Sequence, residues 1–132
     1  MLDTNVIISA ALTAHGTCAR ILDMLLVGAF ELCADDRILG ECDSVLRRPE
    51  LRIAPENVES VMELVRHDAL PITAAPLSVE LPDPGDLPFL EVAAAAGALL
   101  VTGNSRHLPK KVCRDVSVLS PKVFLERLRR PS

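Results

Sequence analysis

Apolar residues recur along this chain with two periods, and the points where one gives way to the other divide it into alternating strands and helices. A very short strand, Met1 to Asp3, precedes the apolar run Val6 to Leu12. Only two residues stand ahead of Asp3, whereas a central strand usually needs about five, so either the start is misassigned or the strand is truncated. Thr17 to Val27 sets Ile21, Leu22, Leu25 and Leu26 on one helical face, and Gly28 stops it. Phe30 to Ala34 alternates as a strand does. Asp35 or Asp36 caps a helix that turns Ile38, Leu39, Cys42, Val45 and Leu46 inward until Pro49 ends it, after about Arg48. Pro55 suits the first turn of the next helix, whose stripe is Val58, Val61, Met62 and Val65.

Five prolines between positions 71 and 88 predict an extended, ordered loop there. Phe89 to Gly97 is an Ala-rich helix, Ala98 to Thr102 and Val116 to Leu119 are strands, and Ser120-Pro121 opens a last helix with a cap and a proline at its first position. No repeat, low-complexity tract or linker interrupts this alternation. The expected fold class is therefore α/β, three-layer α/β/α with a mainly parallel central sheet, in a single domain over residues 1–132.

Composition narrows the function. Aromatics are limited to Phe30, Phe89 and Phe124, which argues against nucleic-acid binding on stacking platforms and leaves the phosphate backbone as the point of contact. Cys18, Cys33, Cys42 and Cys113 lack C-x-x-C spacing and read as small buried hydrophobes in a reducing compartment. The N-terminus lacks a basic, cleavable leader, and no apolar run reaches the roughly 18 residues of a membrane span, so a cytoplasmic protein with no membrane partner is expected. The net charge of −4 hides an asymmetry: residues 1–105 carry 16 acids and 6 bases, while residues 106–132 carry 8 bases and 2 acids. The basic end reads either as a solvated helix and loop or as a holder for a polyanion.

Candidate chemistry centres on Asp3. An acid at the end of a buried strand is costly to keep ionised unless a cation or hydrogen-bond donors stabilise it. Ligands of parallel sheets sit beyond the carboxyl ends of the strands. Asp3 and Asn104 lie just past strand ends, Glu41 lies in the helix after the second strand, and Asp86 opens the helix before the strand that ends at Thr102. Four oxygen-bearing side chains can thus converge on one crevice. Thr4, Asn5, Thr102 and Ser105 read either as donors to that crevice or as caps and turn residues. Arg47, Arg48 and Arg106 read as contacts to a polyanion, with a solvated helix end an equal account of Arg47 and Arg48. Glu91, one helical turn past Asp86, reads as a solvent-facing helix acid or as one facing the same crevice, and His15, His67 and His107 as surface or turn residues, with His107 the one near the proposed site.

Four motifs in order resemble the PIN domain, and within it the small bacterial branch of toxin–antitoxin toxins, the VapC-like ribonucleases. They are Leu2-Asp3-Thr4-Asn5-Val6; Ile38-Leu39-Gly40-Glu41 with Val45-Leu46-Arg47-Arg48-Pro49; Asp83-Pro84-Gly85-Asp86-Leu87-Pro88-Phe89-Leu90-Glu91-Val92-Ala93; and Leu100-Val101-Thr102-Gly103-Asn104. The resemblance implies a metal-dependent ribonuclease acting on single-stranded RNA. It carries an acidic quartet onto Asp3, Glu41 and Asp86, with Asn104 where many PIN domains have Asp. Asp3, Asp86 and Glu41 would bind Mg²⁺ or Mn²⁺, with Asp83 as helper or substitute for Asp86; the latter is preferred because the first helical turn should fix its side chain. Asn5, Thr4, Thr102, Ser105 and Arg106 would assist the acids or face the phosphate. RNA is the implied partner, joined by an antitoxin protein and by a second copy of the chain, for which the apolar face of residues 56–66 offers an interface if it is not simply core.

Two other acid-based enzymes fit less well. A haloacid-dehalogenase-like phosphatase needs a second Asp two residues after the first, where Asn5 stands, and a receiver domain needs an acidic pair that is absent. A PIN-like module that binds RNA or a partner protein without catalysis stays open as the alternative.

Overall fold

Caps set the starts of the most regular elements. Asp35 accepts a hydrogen bond from the Ile38 N–H at 3.1 Å and opens the helix Asp36–Leu46. Ser120 accepts from the Val123 N–H at 3.2 Å and opens Pro121–Arg129, with proline at its first turn. Gly97, at φ +63°, closes Leu87–Ala96 in the left-handed conformation that glycine adopts without strain.

The computed structural model describes residues 1–103, 108 and 116–130. Among these the helices are α1 (Thr4–Leu12), α2 (Thr17–Leu26), α3 (Asp36–Leu46), α4 (Pro55–Asp68), α5 (Leu87–Ala96) and α6 (Pro121–Arg129). The strands are β1 (Leu32–Ala34), β2 (Ala69–Pro71), β3 (Leu100–Val101) and β4 (Val118–Leu119), and short 3₁₀ turns occupy Pro49–Leu51 and Pro84–Asp86. The apolar run Val6 to Leu12 is thus helix, with Val6, Ile7 and Ala10 buried on one face. Met1 to Asp3 pairs through a single parallel bridge, Leu2 to Val101, so the first strand is as short as expected.

Every described pairing is parallel. Leu32, Cys33 and Ala34 lie opposite Ala69, Leu70 and Pro71, and Leu100 and Val101 opposite Val118 and Leu119. The described pairings form two two-stranded sheets, where one continuous sheet was expected. Strand β2 falls where the proline loop was read to begin. Pro71 brings no N–H to the ladder, and the Ile72 N–H takes over by donating to the Ala34 carbonyl at 3.1 Å.

Alternate strand residues feed two hydrophobic clusters, as the period of two requires. Leu2, Leu32 and Val101 join α1, α2, α4 and α6 in one cluster, where Phe30 meets Phe124 edge to face at 5.1 Å. Met1, Cys33 and Leu100 join Phe89, Leu90, Val92 and Ala93 of α5 in the other. The α4 stripe Val58, Met62 and Val65 is buried in this chain's own core. Burial, reinforced by the Asp43 and Glu41 carboxylates, pushes the Cys42 thiol up to about 12, so it stays protonated and inert. Among the described residues no helix is long and apolar enough to cross a membrane.

One charged residue departs from expectation. Glu91 is only 5% exposed, not solvent-facing, because the segment after β2 lies over it. Its carboxylate accepts from Arg37 Nη1 at 2.7 Å and from the Leu77 N–H at 2.8 Å, while Arg37 Nε donates to the capping Asp35 at 2.8 Å. One buried acid thereby ties α3, α5 and the proline loop together. Arg47 is held by Asp43 and by Glu59 of α4, and so serves a helix contact.

Arg37 is 49% exposed, so its side chain can be rehydrated when Glu91 is lost, but Glu91 cannot be rehydrated when Arg37 is lost. Arg37→Ala is therefore expected to cost about 3 kcal/mol and Glu91→Ala about 2 kcal/mol, the latter chiefly from the orphaned Leu77 N–H. The double variant should cost less than their sum. Urea denaturation of the three variants checks the ordering. Native-state alkylation followed by peptide mass spectrometry should find Cys42 unmodified until the protein unfolds.

Candidate functional site

Asp3 stands where the first strand turns directly into α1. Its N–H donates to the Val101 carbonyl at 2.9 Å, and the Val101 N–H donates to the Met1 carbonyl at 2.9 Å, so its backbone is fixed from both sides. The extended conformation at Asp3 (φ −65°, ψ 148°) makes it the N-cap of α1, yet its side chain forms no capping bond. Asp3 Oδ2 instead accepts a 2.6 Å hydrogen bond from the hydroxyl of Thr102. Both residues are buried, at 8% and 1% exposure.

The next two residues extend the site. Thr4 is buried and donates from Oγ1 to Glu41 Oε2 at 2.9 Å, linking the head of α1 to α3. Asn5 is half-buried, and its Oδ1 is a buried oxygen with no hydrogen-bond partner. Such orphaned oxygens are rare in folded proteins and call for a donor or a cation.

Asp86 is half-buried at the junction of the Pro84–Asp86 turn and α5. Its side chain makes no cap to the first turn of α5, contrary to the reason given for preferring it. The exposed Asp83 is the one fixed by its turn, accepting from the Gly85 N–H at 2.9 Å. Asn104, Ser105 and Arg106, like His107 and Cys113, lie outside the described residues.

The described residues therefore bring together two pairs, Asp3 with Thr102 and Glu41 with Thr4. Among them no group of three or more His, Cys, Asp and Glu is placed to hold a metal ion, so Asp3, Glu41 and Asp86 do not close into one ligand cage there. The donor chemistry nonetheless fits a hard cation. The candidate donors are all oxygens, as Mg²⁺ and Mn²⁺ prefer. Neither Asp3 nor Glu41 takes part in an ion pair among the described residues, whereas Asp35, Asp43, Glu59, Asp68 and Glu91 all do.

Sequence reading missed a second charged locality. The structure places Arg20 and His15 beside Lys122 and Arg129, residues about a hundred positions away, and no one-dimensional signal connects them.

A buried acid at a strand-to-helix junction, flanked by parallel strands, defines an α/β domain of the class whose site lies at the carboxyl edge of its sheet. More narrowly, the chain belongs to the PIN-domain family: the family model described as PIN domain matches residues 1–106, a span containing Asp3, Glu41, Asp86 and Asn104. The fold is thus of the nuclease type. No curated protein and no solved structure matches the chain.

Removing the hydroxyl that stabilises Asp3 leaves a buried carboxylate short of a donor. Thr102→Val is expected to destabilise the protein by about 2 kcal/mol, as befits a hydrogen bond to a charged group, and Thr102→Ser by much less. Urea midpoints at constant m-value measure both.

Proposed function

We propose that this PIN domain is a metal-dependent endoribonuclease that hydrolyses phosphodiester bonds in single-stranded RNA. The observation that carries the reading is the buried Asp3 carboxylate, which among the described residues has a hydroxyl partner and no cationic one, next to an Asn5 oxygen that has no partner among them. In this reading Asp3 and Asp86 hold Mg²⁺ or Mn²⁺, Glu41 orients the attacking water, and Asn104 contributes a neutral oxygen. Bound there, the cation would supply a more nucleophilic water and offset charge on the phosphoryl oxygens. Thr102 fixes the Asp3 carboxylate, and Thr4 restrains that of Glu41 from one side. Asn5, Ser105 and Arg106 face the phosphate, with Asp83 supporting Asp86.

The same reading takes the two hydrophobic clusters as the two sides of a three-layer α/β/α domain, since alternate residues of Met1-Leu2, Leu32-Cys33 and Leu100-Val101 supply them. In a cell it makes the chain a cytoplasmic toxin held in check by an antitoxin protein, with pairing to a second copy as its oligomeric form. A second reading, an RNA- or protein-binding module without catalysis, is favoured by Asn104, which lowers the negative charge at the position where many PIN domains carry Asp.

Asp3→Asn should abolish Mn²⁺-dependent cleavage of a labelled single-stranded RNA while leaving the folded chain intact, because the amide keeps the acceptor oxygen for Thr102. Full activity in that variant removes Asp3 from the metal-dependent mechanism; absence of Mn²⁺-dependent cleavage by the wild type removes the ribonuclease reading. The wild-type melting temperature should rise in Mn²⁺; a wild type that neither cleaves nor gains stability supports the inactive module.

A further inference from the structure

A cleft of about 400 Å³ opens between the head of α2 and one face of α6. Lys122, Leu125, Glu126 and Arg129 follow the spacing i, i+3, i+4, i+7 and so share that face. Arg20 comes from the first turns of α2, and His15 from the turn just before it. Leu125 is buried and forms the floor, while the charged residues are exposed. Among the described residues Arg20, Lys122, Glu126 and Arg129 enter no ion pair.

Three permanent cations from two helices thus converge with one carboxylate on a chain whose net charge is −4. Their exposed side chains leave these charges open to solvent and to an anionic ligand. Lys122 and Arg129 stand roughly 10 Å apart along the α6 axis, which gives the patch the form of a short track. The cleft is also separate from the acid site. Asp3 heads α1, His15 lies just past its far end, and α1 is about 14 Å long.

We infer that this cleft seats the phosphodiester backbone of single-stranded RNA, as a contact remote from the cleavage site. The identity of the ligand rests on the ribonuclease reading; its polyanionic character rests on the cleft alone. A phosphate chain repeats one charge per residue along a track, and arginine forks match phosphate oxygens two at a time. With no Tyr or Trp in the chain, the backbone is the part of RNA such a surface can hold.

The test is fluorescence anisotropy of a short labelled 2′-O-methyl oligonucleotide, which resists cleavage, titrated in EDTA across a salt series. The triple variant Arg20→Ala, Lys122→Ala, Arg129→Ala should weaken binding at low salt at least about tenfold and flatten the slope of log affinity against log salt by about 2, near 0.7 per lost phosphate contact. Glu126→Gln should tighten binding about threefold, as expected for removing one exposed repulsive charge. The two variants move in opposite directions, which misfolding cannot imitate. An unchanged salt slope in the triple variant overturns the inference. So does a polyglutamate peptide that binds the cleft as tightly as the oligonucleotide, because the surface then serves an acidic protein. A wild type that never cleaves RNA yet shows the cleft-dependent slope removes the ribonuclease reading and leaves the cleft standing; cleavage with no cleft-dependent slope does the reverse.

Discussion

The junction of Asp3 with Val101 and Thr102 is the constraint on which the rest of the site depends. A main-chain bond of 2.9 Å and a side-chain bond of 2.6 Å fasten the end of the first strand to β3 and the residue after it. Because Asp3 is extended and Thr4 is already helical, the same junction sets where α1 begins. An aspartate at an N-cap ordinarily spends its carboxylate on the first-turn N–H groups. Here the carboxylate is turned to Thr102 instead, so the helix gives up a cap to aim an acid. The positive end of the α1 dipole still favours the anion, which keeps the arrangement tolerable in a buried place. Departures of this kind from a local rule are expected where function constrains the fold.

Comparison of two buried acids makes the point sharper. Glu91 and Asp3 are similarly inaccessible, at 5% and 8% exposure. Glu91 meets a guanidinium and a backbone N–H, which together satisfy both of its oxygens and convert its charge into a clasp between α3, α5 and the loop. Asp3 meets one hydroxyl. The first arrangement satisfies both carboxylate oxygens, whereas the second gives Asp3 a single hydroxyl among the described residues. Burial alone does not distinguish a structural acid from a chemical one; the partner does.

The legibility of the chain follows the same division between local and long-range terms. Caps, stops and helical stripes are readable because they depend on neighbours in sequence: Asp35, Ser120, Gly28 and the α4 stripe all act as their positions predict. The run Val6 to Leu12 could not be assigned by period, since a short, wholly apolar segment fits strand and helix alike. Strand β2 escaped because three residues ending in proline carry no alternation, and only its pairing with β1 reveals it. The position of Asp3 and its threonine neighbours was legible from the motif, but the direction of the Thr102 and Thr4 hydroxyls was not. Glu91 was misread because Leu77, which covers it, belongs to a proline-rich stretch whose path no periodicity describes.

The charge asymmetry of the sequence takes on a meaning in three dimensions that its linear form lacks. Read as a string, the chain has an acidic body and a basic tail, and the tail could be no more than a solvated helix. Folded, α6 lays its cationic face against α2, and Arg20 from the acidic body joins it, so the positive charge is concentrated by tertiary structure and not by composition. Helix α1, packed into the core along one face, separates this locality from Asp3, which heads it, with the His15 turn beyond its other end. The helical backbone fixes that separation, so it does not depend on side-chain motion. Tertiary structure thus keeps the basic locality and the Asp3 carboxylate toward opposite ends of α1, so their opposite charges are held apart instead of neutralising one another.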